Sequence, residues 1–437
     1  MQTFRPGGVR LPDSKLTAGK PIVEVDAPKV AVVALGQHIG RPARAVVSPG
    51  DRVVRYQLLA EADGFISANV HSPVTGTVKS VGPVSGANGY DIDAIIVEST
   101  DEDRATDRAM KPVRVRTDEE IAAMNHYEIR RVVRDCGIVG LGGATFPTDV
   151  KLTVPNGTSA EVLIVNGAEC EPYLTSDHAL MLESAEEIMK GVEAARRACD
   201  ASRAVVGIEE NKSDAIRLMA EAAEGFPATE VVALRERYPQ GGEKQLIKAV
   251  TGREVPAGKL PLDAGAVVVN VGTAYAIWRG LAYGEPLVRR IVTVTGPEVE
   301  GRGNFRVWNG TAVATLLELA GASAEQGSKL VLGGPMMGHA AINPEAPTMK
   351  GTSGVLLLPP SMSGRLEPDA CVRCARCVSV CPMGLEPYLI STLCRFGRVE
   401  EAREHSLANC IECGCCSYIC PSSRPLLDFI RLGKAKR

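Results

Sequence analysis

No run of about 18 uninterrupted apolar residues occurs in the sequence, and the most apolar stretch, Ala264 to Gly284, is broken by Asn270 and Arg279. No transmembrane helix is therefore expected. Residues Met1 to Arg10 also lack the apolar core of a secretory signal, so the thirteen cysteines are read in a reducing cytoplasm, as thiolate ligands before disulfides. Neither sign of charge dominates: the formal net charge is -3, and without a basic field nucleic acid is not an expected partner. The small basic tail of Arg431, Lys434, Lys436 and Arg437 reads as a solvated terminus. Histidine is scarce, and the six present, including His38, His71, His126 and His178, form no spaced pair of the kind that ligates a metal.

What is present is a chain of 437 residues with 45% apolar content, enough for about three domains with ordinary cores. Residues 1 to 105 carry short alternating runs rich in Val, Gly and Pro, such as Ala43 to Val47, Ile66 to Val70 and Thr75 to Val81, and are expected to form a small all-β module. Glu98 to Lys111 is strongly charged and is expected to be a linker. A helical pattern runs from Thr117 to Asp135, opening on a capping-box signature. Strands at Val162 to Val165, Ala204 to Ile208 and Ala266 to Val271 then alternate with helices around Ser184 to Ala198 and Lys212 to Ala223, an α/β layer. A strand at Ile291 to Thr295, a helix at Ala312 to Leu319 and a strand at Leu330 to Leu332 suggest a small α+β module.

The strongest motif lies near the C-terminus. Cys371-x2-Cys374-x2-Cys377-x3-Cys381-Pro382 is repeated as Cys410-x2-Cys413-x2-Cys416-x3-Cys420-Pro421, the spacing of a two-cluster ferredoxin. Three thiolates on a turn take three corners of a 4Fe-4S cubane, and the fourth, ahead of proline, ligates the other cluster. Cys371, Cys374, Cys377 and Cys420 are expected at one cluster, and Cys410, Cys413, Cys416 and Cys381 at the other. A four-cysteine zinc site is the competing reading, but zinc does not call for three cysteines plus Cys-Pro in each copy. Helical patterns at Leu385 to Cys394 and Val399 to Leu407 make this a helical ferredoxin domain, with Cys394 and Cys415 structural.

A wire of single-electron carriers needs a source and a sink. Gly137 and Gly140 to Pro147 form a glycine-rich loop, but it follows a helix, so it does not fit a dinucleotide fingerprint. It brings backbone N-H groups close to a phosphate or ring system, with Lys151 adding a cation; a plain flexible turn is the alternative. Asn166 to Pro172 follows the strand at Val162 to Val165, and Glu209-Glu210-Asn211 follows that at Ala204 to Ile208, both at strand ends where α/β proteins place ligand groups.

At these residues the chain resembles the RnfC component of the Rnf electron-transport complex, and its middle part is similar to the flavin- and NADH-binding subunit of respiratory complex I. The complex I loop reads Gly-Arg-Gly-Gly-Ala-Gly-Phe-Pro, matched by Gly140 to Pro147 with Leu141 and Thr145 substituted. Its Asn-Ala-Asp-Glu-Ser-Glu-Pro segment is matched by Asn166 to Pro172 with Gly167, Ala168 and Cys170 substituted. Phe4 to Gly8, Gln37 to Gly40 and Gly333 to Gly338 are also typical of the RnfC family. The resemblance implies an FMN held by Gly140, Gly142, Gly143, Ala144, Phe146, Lys151, Asn166, Glu169 and Glu171, with Glu209 near the nucleotide. It implies a multidomain α/β protein: a biotinyl- or lipoyl-like barrel-sandwich (1–105), an α/β domain for FMN and NADH (112–289), a β-grasp module (290–345) and the helical two-cluster ferredoxin domain (365–437). The barrel-sandwich has no lysine after Glu61 to carry a swinging arm, so it reads as a structural or docking module. Met336 and Met337 are expected to pack between domains.

The function implied is that of a peripheral subunit on the cytoplasmic face of the inner or plasma membrane, part of an ion-translocating ferredoxin:NAD oxidoreductase. Hydride passes between NAD(H) and FMN, and single electrons pass through two 4Fe-4S clusters to other subunits of the complex, ferredoxin or a ferredoxin-like subunit. No side chain acts as a general acid or base; the task is placing nicotinamide against flavin. A cobalamin-reductase-like protein and a non-catalytic electron-carrying scaffold are the alternatives.

Overall fold

The computed structural model describes every residue except Asn156, Glu325 and Arg437, so the last residue of the basic tail lies outside the described residues. Val30–Ala34, Arg52–Val53, Gly76–Ser85 and Asp91–Glu98 form one sheet of a small sandwich, and Arg44–Ala45, Leu58–Glu61 and Val70–His71 form the other. Val33, Val53, Leu59, Val70, Val78, Ile95 and Val97 fill the space between them. At the hairpin tip Glu61, Gly64 and Phe65 are exposed.

The expected linker is a helix, Asp101–Ala109. Its charge misled because the charges are placed with helical spacing. Thr100 caps it reciprocally with Asp103, and three acidic residues occupy the first turn, where the helix dipole favours them. Asp103 and Asp107, one turn apart, are buried against the sandwich: Asp103 pairs with Arg52, and Asp107 accepts from Thr75 N-H (2.8 Å) and Thr75 Oγ1 (2.5 Å).

The N-terminal 24 residues do not belong to the sandwich. Gln2 bridges to Leu234 and Val9 to Tyr238, while Ile22–Glu24 adds a parallel edge strand to a six-stranded sheet. That sheet is also longer in sequence than the expected 290 to 345 segment. Its centre pairs Arg289–Thr295 with Gly354–Leu358, and Lys329–Leu332 lies on the other side of the latter.

Thr117 to Asp135 is two helices, Asp118–Ala123 and His126–Asp135, because Asn125 caps a new helix through the N-H groups of Tyr127 and Glu128. The α/β domain beyond holds four parallel strands: Val162–Gly167, Arg203–Glu209, Thr229–Leu234 and Ala266–Asn270. Their spatial order is third, second, first, fourth. Helices cover both faces, so the strands are apolar throughout: Leu163 and Val165 face one core, Val162 and Ile164 the other. The C-terminal domain is helical, with Pro387–Arg395 packed on Leu426–Ala435. Among the described residues, no helix is long and apolar enough to cross a membrane.

Candidate functional site

The strand order fixes where a crevice opens. The first strand pairs with the second on one side and with the fourth on the other, so the strand order reverses between the first and fourth strands, the kind of switch point where such sheets bind ligands. Asn166 and Asn270 are paired in register at that gap. Asn166 Nδ2 donates to the Gly241 carbonyl (2.9 Å), and its Oδ1 accepts from Ala168 N-H (3.1 Å). Asn270 Oδ1 caps the helix Val271–Tyr283 by accepting from Gly272 N-H (2.8 Å), and its Nδ2 donates to Asp177 (2.6 Å).

The glycine loop lies across this helix N-terminus. Leu141 N-H donates to Thr273 Oγ1 (2.9 Å), and Gly140 N-H to the Phe146 carbonyl (2.8 Å) closes the loop. Gly142, Gly143 and Ala144 are exposed. A Cβ on Gly142 would stand 3.4 Å from that of Asn270, whereas one on Gly143, at φ +119°, would meet nothing within 4 Å. Bare backbone therefore faces open space at the positive end of a 13-residue helix. Lys151 stands at the rim, bonded to Glu243 Oε1 at 2.7 Å. Backbone donors, two asparagines and a lysine suit an anionic ligand bearing hydroxyls. Behind Leu141 and Gly272 a pocket of ≈ 650 Å³, counted to its open mouth, continues inward, lined by Tyr56, Asp177, Tyr275, Arg279, Arg290 and Arg306 among others.

The acidic candidates point elsewhere. Glu169 turns back to cap the helix Ser176–Glu183, accepting from Asp177 N-H (2.8 Å) and His178 N-H (3.2 Å). Glu171 accepts from the N-H groups of Met336 (3.0 Å) and Met337 (2.8 Å), and burial pushes it up to about 6. Glu209 is buried beside Lys212 at 3.5 Å, and burial pushes it up to about 7. Asp177 is likewise raised, to about 7, by burial and by the nearby charge of Glu169. Lys15, from the N-terminal segment, ties the acidic loop down by donating to the carbonyls of Glu169 (2.7 Å), Glu171 (2.9 Å) and Leu174 (2.6 Å). Leu141 and Ala168, one substituted position in each matched segment, are buried, and Leu141 also lines the pocket.

The cysteines form two unlike groups. Cys381, Cys410, Cys413 and Cys416, with Cys415 beside them, line one largely buried pocket of ≈ 380 Å³, counted to its open mouth, walled by Met383, Leu385, Ile411 and others. The fourth cysteine of the first motif thus lines the same pocket as the three of the second. Leu385 N-H donates to Cys381 Sγ and Glu412 N-H to Cys410 Sγ, both at 3.4 Å. Burial pushes Cys410 up to about 11 and Cys416 up to about 12, whereas a hydrogen bond with Cys415 lowers Cys413. Cys371 and Cys374 are exposed, and Cys377 lies within electrostatic range of Cys420. Among the described residues no group of three or more His, Cys, Asp or Glu is gathered closely enough to hold a single metal ion. Cys394 packs in the helical core. The enclosed group adjoins the loops of the α/β domain: Tyr238 donates to the Cys413 carbonyl (2.8 Å), and Val9, Tyr238, Cys413 and Cys415 pack together with Cys170 and Met336. Met336 is thus interdomain packing as expected, while Met337 remains 44% exposed.

Three family models match parts of the chain, the first taking in the N-terminal segment together with the sandwich. Residues 2–102 match the RnfC barrel sandwich hybrid domain, 133–279 the Nuo51 FMN-binding domain and 363–421 the 4Fe-4S dicluster domain. The chain is 40% identical to the C component of the proton-translocating ferredoxin:NAD(+) oxidoreductase complex of Clostridium ljungdahlii, covering 100% of this chain and 94% of that one. The chain belongs to the RnfC family of ion-translocating oxidoreductase complexes. Two further RnfC relatives are that of the Na(+)-translocating complex of Acetobacterium woodii, 39% identical over 99% of this chain and 96% of that one, and that of Rhodobacter capsulatus, 40% over 98% and 82%. Among solved structures, an NAD+-reducing [NiFe]-hydrogenase chain shares the fold with a TM-score of 0.51 at 20% identity, covering 70% of this RnfC-family chain and 63% of that chain.

Sequence reasoning missed Lys15, Asp177, Tyr238 and Asn270. Asn270 carried a signal: a polar residue closing an apolar strand and opening a helix is a capping position at a strand end. Lys15, Asp177 and Tyr238 act across 93 to 175 residues of sequence, and no local pattern marks such contacts.

Proposed function

We propose that this RnfC-family chain binds FMN at the switch point between Asn166 and Asn270 and passes its electrons singly to two 4Fe-4S clusters. Gly142 and Gly143 offer backbone N-H groups, Lys151 a cation, and Asn166 and Asn270 amides to the flavin's phosphate and polyol. Glu169, Glu171 and Glu209 support that site from behind instead of touching the cofactor. The observation that carries this reading is the bare glycine backbone over the N-terminus of Val271–Tyr283. When bound, the flavin converts a two-electron hydride transfer from NAD(H) into single-electron steps.

The cluster ligands are Cys381, Cys410, Cys413 and Cys416 for the enclosed cluster, and Cys371, Cys374, Cys377 and Cys420 for the solvent-facing one. The enclosed cluster stands next to the flavin domain, so it receives electrons first and the solvent-facing cluster exchanges them with other subunits or a ferredoxin. The six-stranded sheet serves as the β-grasp module, and the protein sits peripherally on the cytoplasmic side of its membrane complex. Flavin retention after anaerobic reconstitution tests the reading: the chain keeps about one FMN, and Gly143→Val, whose side chain enters the ligand's space, loses it. Equal flavin in both proteins would place the cofactor elsewhere.

A further inference from the structure

Tyr238 is 2% exposed and lies where three parts of the chain meet. Val9 N-H donates to its carbonyl (2.8 Å), and its own N-H donates to the Val9 carbonyl (2.9 Å), locking it to the N-terminal segment. Its side chain packs with Cys170, on the loop that leaves the crevice, and with Cys413 and Cys415 of the second cysteine motif. Its hydroxyl donates to the Cys413 carbonyl at 2.8 Å. Glu171 lies within reach of the same hydroxyl and, through Met336 and Met337, fixes a third loop whose Met336 carbonyl would stand 3.3 Å from a Cβ on Gly414.

We propose that Tyr238 is a positioning residue for the enclosed cluster, holding the Cys410 to Cys416 loop against the flavin domain and raising that cluster's reduction potential above the value it would otherwise have. This rests on reading Cys381, Cys410, Cys413 and Cys416 as one cluster's ligands. Donation of the O-H to the Cys413 carbonyl draws electron density from a residue that carries a ligand and so favours the more negative, reduced cluster, the sense in which hydrogen-bond donors around such centres raise their potentials. The hydroxyl is directed at the second motif, so the effect is confined to one cluster.

The test is an EPR-monitored redox titration of the full reconstituted chain, with the enclosed cluster's signal identified as the one lost in Cys413→Ala. Tyr238→Phe removes the donor and is expected to lower that signal's midpoint potential at unchanged iron content, leaving the other cluster where it was. Replacing Tyr238 with 2,3-difluorotyrosine strengthens the donor at constant shape and is expected to move the same potential upward. If Tyr238→Phe fails to fold, the fluorinated variant decides alone. Potentials that do not move, or that move together in both clusters, overturn the proposal while leaving the ligand reading intact. A reconstituted chain without a signal sensitive to Cys413→Ala overturns the ligand reading itself, and the proposal with it.

Discussion

Replacing Gly7 with alanine is expected to detach the N-terminal segment from the ferredoxin domain and deplete the enclosed cluster. Gly7 sits at φ +72°, and a Cβ there would stand 2.3 Å from the Cys381 carbonyl oxygen and 2.7 Å from Pro382 N. A left-handed conformation costs a non-glycine residue about 1–2 kcal/mol. The clash is with backbone on both sides, so relief requires moving either strand of chain, at about 1–3 kcal/mol by the measure of overpacked cores. Displacement also breaks the hydrogen bond from Gly8 N-H to the Val380 carbonyl (2.8 Å), worth about 1 kcal/mol. Together these reach about 3–6 kcal/mol, a shift of more than about a hundredfold in the docked population. Hydrogen exchange followed by mass spectrometry reads this out: segments 2–9 and 376–385 lose protection while 30–98 keep theirs, and the EPR signal of one cluster falls. Unchanged exchange at 376–385 with both signals intact would refute the reasoning.

Cross-ligation predicts that Cys381→Ala abolishes the same EPR signal as Cys413→Ala, and that Cys420→Ala abolishes the same signal as Cys374→Ala; pairing by motif instead would contradict the pocket geometry. Asp107→Ala strips the partners from the buried Thr75 N-H and hydroxyl, costing about 2–5 kcal/mol and measurable as faster exchange in segments 52–55 and 75–78. His71 is buried and held well below its ordinary value, at about 3, so the folded chain keeps it neutral while the unfolded chain protonates it from 6.5 downward. Stability is therefore lost as pH falls from 6.5 toward 3, at about 1.4 kcal/mol per pH unit, and His71→Leu should flatten that limb of a denaturation series.

How much of this was legible from sequence depended on whether the determining contacts are local. The cysteine spacing groups Cys381 with the second motif, and the structure brings Cys381 to the same pocket as Cys410, Cys413 and Cys416, with Cys415 beside them, because a motif with three thiolates on a turn encodes its own geometry. The strand at Val162 to Val165 and the polar turn after it were legible for the same reason: an apolar run of strand length, then a break. The helix at Asp101–Ala109 was not, because its stability comes from Arg52 and Thr75 on the sandwich and from a cap that looks, in composition, like any charged linker. Nor was the path of residues 2 to 24, where Gln2, Val9 and Ile22–Glu24 pair with backbone more than 200 positions away. The carboxylates at 169, 171 and 209 were legible as strand-end clusters, yet their partners are backbone N-H groups and a lysine within the protein, an orientation the sequence alone does not determine.

The most direct test of the central claim is a stopped-flow mix of the anaerobic, reconstituted chain with a single equivalent of NADH, following flavin and cluster absorbance separately. The account predicts that flavin bleaches first and recovers as the clusters bleach, and that in Cys413→Ala the flavin stays reduced because the enclosed cluster is missing. Cluster bleaching that precedes flavin reduction, or that survives unchanged in Cys413→Ala, would contradict it.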